Sequence, residues 1–441
     1  MTVNEKTKEI LTLLRKYESR NITYIARDGS FPIIWEKARG IYVTDVEGKK
    51  YVDLTAAFGV AAAGHSNKSV IAAAKKQLQK LPHAMGDVHP HRLKAILCER
   101  LSRLTFERWT NGSEYGKTIF CNSGFESVEA ALKTAILATG RRNIIAFEGA
   151  YHGLGYGALN ATFRDYFKKP FLPQLGLFAR FAPFATTETE FEIAKKQIGA
   201  LFRKYKPGAV LIEPVQGRGG IRLPHPEFLP FLRKICDEYS ALLILDEIYT
   251  GFGRTGRWFA CEHFNVIPDI ICLGKALTGG FPLSVCIGKS ELMDAAWEES
   301  RGEAMHTSTF LGNPVGCAMA LANIGEIENK GLVENSELLG KKLLQKLQTL
   351  AEPTGRFILK ARGIGLMAGV EFCRKKDNSP PADVVFKIVK EMLKRGYIIL
   401  PEGDCGNVIS FTPPLIIKWN QLSNAIDELQ DVINRIFSQS G

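Results

Sequence analysis

The stretch from Leu242 to Gly256 reads LLILDEIYTGFGRTG. Four apolar residues, Leu242 to Leu245, end abruptly in two acids, Asp246 and Glu247. A short apolar run without polar alternation is what a strand buried on both faces of a mostly parallel sheet requires. Similar runs recur at 144–148, 209–213, 269–273 and 283–288, with longer helical patterns between them. That alternation predicts an α/β domain in which helices supply the crossovers. An acid at the end of such a strand is costly to desolvate unless a cation meets it. For a lone Asp246 the plainer reading is an N-cap or loop acid.

Working outward, residues 61–315 read as a large α/β domain and residues 316–441 as a smaller α+β domain. The latter is helical throughout 315–350, followed by a glycine-punctuated strand from Gly363 (GIGLMAGVEF). A helix from Ala382 to Arg395 and a strand from Tyr397 to Leu400 come next. A last amphipathic helix carries Leu422, Ile426, Leu429, Ile433 and Ile436 on one face. Residues 1–60 are expected to pack with this smaller unit through two short strands around the turn at 46–49. Before them, Ile10, Leu13, Leu14 and Tyr17 fit one face of a short amphipathic helix.

Composition narrows the class. Of 441 residues, 45% are hydrophobic and 23% charged, an ordinary globular balance. No apolar run approaches the roughly 18 residues that cross a bilayer, and the N-terminus lacks the apolar core of a secretory signal. A cytoplasmic protein without membrane partners is expected. Nine cysteines with no CxxC pair exclude a closed disulfide framework and the usual zinc ribbon. The net charge of +11 is spread along the chain beside acids, without a nucleic-acid-binding signature. Anionic small ligands therefore rank ahead of nucleic acid.

Four features gather at strand ends, where open α/β sheets bind ligands. Asp246 is the first. Lys275, in IICLGKALTGGFPLSV, leaves an apolar strand end, where desolvation turns an amine into a nucleophile toward carbonyls; alone it reads as a snorkelling lysine. Asn122, Ser123 and Gly124 open an amphipathic helix in CNSGFESVEAALKTA, and free backbone N–H groups there make an anion site. Tyr151 and His152 follow a strand in FEGAYHG, where an aromatic side chain can stack on a planar ring. The conjunction matches the needs of pyridoxal 5′-phosphate (PLP): a Schiff-base lysine, a carboxylate for the pyridinium nitrogen and a helix N-terminus for the phosphate.

DEIYTGFGRTG, LGKALTGGFP and TSTFLGNPVGCAMA together resemble the class III (omega-type) aminotransferases of PLP fold type I, from about Gly40 to the last helix. The resemblance implies that Lys275 bonds the cofactor and shuttles the substrate proton as base and acid, while Asp246 holds the ring nitrogen protonated. Tyr151 and Ile248 would cover the two ring faces, with His152 counted among the cofactor contacts. Ser123, Gly124 and Phe125 would donate to the phosphate, joined by Thr309 across a homodimer interface. Glu213 would lie near the cofactor's oxygen and the substrate.

The chain also departs from that family. EPVQGRGG places Arg218 where relatives that use 2-oxoglutarate carry a glutamate, and NVISFTPP places Ser410 where they carry an arginine. Without that arginine the clamp for an α-carboxylate is gone. Arg218 either binds a carboxylate from another direction or points to solvent. Tyr249 replaces a glutamine of several relatives and Phe125 a smaller alanine; with Phe58 they imply an aromatic, apolar substrate pocket. Phe58, Tyr151, Arg218 and Ser410 are thus the candidate substrate contacts. The expected activity is transfer of an amino group from an amine or omega-amino donor to an oxo acid such as pyruvate, by a ping-pong mechanism. The alternatives are an amino-acid racemase or epimerase of the same family, and a basic binding protein that has lost catalysis.

Two further patterns carry less. Gly153, Gly155 and Gly157 imitate a dinucleotide fingerprint, but no acid near residue 178 would hold a ribose. His83, His89 and His91 cluster without metal-ligand spacing, so no metal is expected.

Overall fold

The computed structural model describes residues 5–351 and 354–438. Its centre is a seven-stranded sheet in the order Gly116–Cys121, Ser284–Lys289, Ile270–Leu273, Leu242–Asp246, Ala209–Ile212, Ile144–Phe147, Ala179–Ala182. Ser284–Lys289 runs antiparallel to both neighbours and the remaining pairs are parallel. Alternate residues face two separate cores. Ile244, Ile270, Cys272 and Ala146 pack toward the helix Gly124–Thr139 with Val128 and Ala131. Leu243, Leu245, Ile271 and Phe147 join Phe191, Phe202, Phe228 and Leu232 on the other side. Both faces are covered, which is why these strands carry no polar alternation in sequence.

The sequence reading located five of the seven strands and missed two. Gly116–Cys121 has partly exposed residues at its centre, and Ala179–Ala182 is a half-buried edge strand. Neither has the unbroken apolar run that marks the inner strands.

Two four-stranded sheets flank this core. In one, Trp35–Arg39, Tyr42–Asp45 and Lys50–Asp53 pair antiparallel, and Tyr397–Ile398 joins Lys50–Asp53 in parallel. In the other, Phe357–Ile364, Met367–Arg374, Val408–Phe411 and Leu400–Glu402 pair antiparallel. The expected strand at 397–400 is thus two strands that change sheets at Ile399. The expected single strand from Gly363 is a hairpin that turns at Gly365, whose φ is +56°. The helical stretch at 315–350 breaks at Gly331, φ +57°, into Pro314–Asn329 and Leu332–Gln348.

The final helix, Trp419–Ser438, buries Leu422, Ile426, Leu429 and Ile433 as expected, while Ile436 is only partly buried. The first helix, Glu5–Tyr17, seats Leu11 instead of the expected face, and Leu13 and Tyr17 stay exposed. Single-chain packing does not cover that stripe. Among the described residues, no helix is long and apolar enough to cross a membrane.

Candidate active site

The chemistry-bearing residues converge at the C-terminal edge of the parallel strands. Asp246 closes the Leu242–Asp246 strand, paired in register with Cys272. Glu213 follows Ala209–Ile212, Lys275 follows Ile270–Leu273, Tyr151 follows Ile144–Phe147, and Ser123 follows Gly116–Cys121. Parallel strands bring their C-terminal ends to one edge, so residues far apart in sequence meet there.

Asp246 is buried, and its partner is a histidine: His152 Nδ1 lies 2.7 Å from its Oδ2. Its other oxygen accepts the Ile248 N–H at 3.1 Å. Glu213 accepts the N–H groups of Tyr151 at 2.9 Å and Gly217 at 3.1 Å. Burial raises the Glu213 carboxyl to about 7 in spite of the nearby His152 and those two donors. The neighbouring acid of the motif, Glu247, has a structural job. It receives the Ala260 and Cys261 N–H groups at 2.9 and 2.8 Å and so anchors the turn at 260–264.

Lys275 adopts a left-handed backbone with φ +39°, a conformation that side-chain-bearing residues hold mainly at over-determined functional sites. Its Nζ stands 4.1 Å from the ring centroid of Tyr249. Burial lowers its ammonium pKa, opposed by the charges of Asp246, Glu213 and Glu402. Tyr249 is wedged between two glycines. A Cβ at Gly59 would come within 2.5 Å of the ring, and one at Gly217 would overlap it. Its hydroxyl meets Thr412 Oγ1 at 3.1 Å, and burial pushes that hydroxyl up to about 12.

The anion cradle is set by a division of labour. Glu126 takes the Asn122 and Ser123 N–H groups at 2.6 and 3.1 Å, so the helix start is tied back without them. Ser284 Oγ donates to the Ser123 carbonyl at 2.5 Å and holds the loop down. The Ser123 hydroxyl is buried with no hydrogen-bond partner, and the first-turn amides of Gly124 and Phe125 have no partner within the helix. Ile248 closes in from below: a Cβ at Gly124 would meet it at 3.1 Å, and one at Gly274 at 3.4 Å.

The remaining candidates fall in different places. Tyr151 packs edge-on against Phe167, with the Arg218 guanidinium 5.1 Å from its ring centroid. Arg218 is therefore folded over two aromatic rings and does not point freely into solvent. Phe58 lies in a left-handed turn, φ +61°, and is 55% exposed. Thr309 is exposed, one residue after Ser308, which Asn122 reaches at 3.3 Å. Ser410 corrects the sequence reading as a direct substrate contact. It is 2% exposed and gives its hydroxyl proton to the Leu400 carbonyl at 3.3 Å, which leaves little for a ligand.

Glu402 went unnoticed in the sequence. It ends the Leu400–Glu402 strand, is buried, and feels the charges of Arg218, Arg164 and Lys275. Its signature is the one that marked Asp246, an acid closing a short apolar strand, but the strand had been ended at Leu400.

The two weaker patterns resolve by packing. A Cβ at Gly153 or Gly155 would strike Phe125, and one at Gly157 would strike Glu129. Glu129 already occupies that helix start, accepting the Gly157 and Ala158 N–H groups at 2.8 and 3.1 Å. His91 caps the helix Arg92–Leu104 and meets the Gly312 carbonyl at 2.7 Å, and His83 faces Phe310.

An unpaired buried hydroxyl beside free helix amides fits a phosphate, an enclosed lysine amine fits an aldehyde, and the Asp246–His152 pair fits a ring nitrogen. Together they define a site suited to PLP. The family model for class-III aminotransferases matches residues 23–433. A putrescine aminotransferase of Pectobacterium atrosepticum is 35% identical over 97% of this chain and 89% of its own. An acetylornithine aminotransferase of Methanosarcina mazei is 36% identical over 91% of this chain and 92% of its own. Among solved structures, a transaminase from the marine bacterium Virgibacillus superposes with a TM-score of 0.89 at 27% identity, covering 98% of this chain and all (100%) of that one. An amine transaminase from an uncultivated Pseudomonas species, in its PLP-bound form, gives 0.87 at 26%, covering 97% and 99%. Fold and site are those of a PLP-dependent enzyme of fold type I. Within that class, the chain belongs to the class III aminotransferases.

Proposed function

We propose that the protein moves an amino group from a primary-amine or omega-amino donor to an oxo acid such as pyruvate, in the two half-reactions of a ping-pong cycle. The observation that carries this reading is the substitution at Ser410. Its short, buried side chain is engaged with the Leu400 carbonyl, so the strand Val408–Phe411 presents no guanidinium there to clamp an α-carboxylate. The names of two relatives, a putrescine aminotransferase and an amine transaminase, point the same way.

The bound cofactor supplies an electron sink for the bond broken at the substrate carbon. The chain's own residues do the rest. Lys275 holds the cofactor and carries the proton to and from the substrate carbon, a role its burial-lowered ammonium suits. Asp246, fixed by His152, faces the ring nitrogen. Ser123 and the amides of Gly124 and Phe125 hold the phosphate, while Tyr151 and Ile248 cover the ring. Glu213 sits where it can orient the substrate side.

The active assembly in this reading is a homodimer. Thr309 belongs to a segment that exposes Met305 (74%) and Phe310 (59%), and it packs beside a second segment that exposes Met85 and Val88. An apolar surface of this kind beside a phosphate cradle suits a second copy that completes the site.

The test is one half-reaction on the purified holoenzyme, followed by visible absorption. With 1-phenylethylamine and no acceptor, the long-wavelength cofactor band should fade and then return on adding pyruvate. Lys275→Ala should show neither change. Loss of optical activity from an α-amino acid without any acceptor would overturn the assignment in favour of racemisation.

A further inference from the structure

Glu402 is 7% exposed, yet among the described residues its carboxylate accepts no hydrogen bond and joins no salt bridge. A buried carboxylate left unpaired is costly, and proteins retain one where something else completes it. Three cations act on it through space: Arg218 most, then Arg164 and Lys275. Arg164 is already engaged, with Nε on Asp404 at 2.7 Å and Nη2 on the carbonyls of Gly403 and Arg218. Lys275 is committed to the cofactor. Arg218 is held over the rings of Tyr151 and Phe167, and its Nε is buried without a partner.

Backbone geometry shows that these groups face each other. The Gly403 N–H donates to the Arg218 carbonyl at 3.0 Å, and a Cβ at Gly220 would come within 3.1 Å of the Gly403 Cα. The loop after Glu213 and the end of the Leu400–Glu402 strand are therefore in contact, beside Lys275 and Tyr249. Arg218 keeps Glu402 ionised from a distance without filling it. The substrate side of the cleft thus holds one carboxylate with no cation of the chain's own touching it.

We propose that Glu402 is a specificity-determining residue that receives a second, non-reacting cationic group of the amine donor, so the preferred donors are dications such as α,ω-diamines. The inference rests on the transamination reading above. An ammonium meeting a desolvated carboxylate forms a charge-assisted hydrogen bond, and an isosteric methyl group in its place leaves that acid unpaired. The discrimination expected is roughly 10- to 100-fold.

The experiment compares 1,4-diaminobutane with 1-aminopentane in the first half-reaction of the holoenzyme; the two differ in one terminal group. Wild type should convert the diamine roughly 10- to 100-fold more efficiently. Glu402→Gln should bring that ratio close to one by raising the diamine's half-saturation concentration, with 1-aminopentane unchanged. Conversion of both amines by wild type without preference overturns the Glu402 assignment and leaves transamination standing. So does an equal loss for both amines in Glu402→Gln. Failure of wild type to convert either amine overturns the transamination reading and the assignment with it. The wild-type ratio decides the matter even where the variant does not fold.

Discussion

His152 and Asp246, both buried, meet at 2.7 Å between Nδ1 and Oδ2 at the end of the central strand. The histidine is what allows a carboxylate to close an otherwise apolar strand. In His152→Ala the Asp246 carboxylate loses its side-chain partner, and a cavity opens behind it. Stability should fall by about 2–4 kcal/mol, and PLP affinity should weaken with it. Urea denaturation and a cofactor titration measure the two. A change within about 0.5 kcal/mol would show that Asp246 needs no such partner.

Ser123 allows a prediction of opposite signs. Its hydroxyl is buried and unpartnered in the chain, so Ser123→Ala removes an unmet desolvation cost from the cofactor-free protein. That form should be as stable as wild type or slightly more so. PLP affinity should nevertheless drop roughly 10- to 100-fold, the value of a hydrogen bond to a charged group. Equal losses in both quantities would point to a packing role instead.

Glu213 makes stability depend on pH. Its carboxyl is raised from 4.5 to about 7 by burial, so the folded chain holds a proton that the unfolded chain has released. The stability this contributes is complete below about pH 4.5 and is lost as pH rises through about 7, on the order of 3 kcal/mol in all. In the cofactor-free protein, Glu213→Gln should flatten that part of the profile. Denaturation midpoints at pH 5 and pH 8 for both proteins test it; parallel profiles would count against the assignment.

Gly59 combines a φ of +81° with a Cβ position 2.5 Å from the Tyr249 ring. Gly59→Ala faces backbone strain and a clash together, about 1–3 kcal/mol for the strain alone. Because Lys275 Nζ stands over that ring, displacement of Tyr249 should also lower kcat. Gly48→Ala is the control: its φ is +84°, but nothing lies within 4 Å of the added carbon. It should lose stability without losing kcat. A normal kcat in Gly59→Ala would show that Tyr249 does not position the lysine.

Much of the site was readable in the sequence because each residue was marked by its own neighbours. Asp246 and Lys275 end apolar runs, and Ser123 opens a helix. Arg218 was legible as an oddity but not as a contact, because its rings, Tyr151 and Phe167, lie on other segments. Glu402 was hidden by a strand end placed two residues short. The first helix was read by periodicity alone, and its buried residue, Leu11, falls outside the expected stripe. Periodicity shows that a face exists; the surface available to cover it decides which residues are buried.

The sequence by itself determined the double-faced parallel sheet, because unbroken apolar strands between amphipathic helices have no other way to bury both faces. It also determined the family, through motifs that chemistry ties to particular strand ends. Only the tertiary structure decided which charges are satisfied. Asp246 finds His152, Glu247 finds two backbone amides, and Glu402 finds no partner in its own chain. Those outcomes depend on pairings between distant segments, where a difference of a few ångströms separates a closed ion pair from an open site for a ligand.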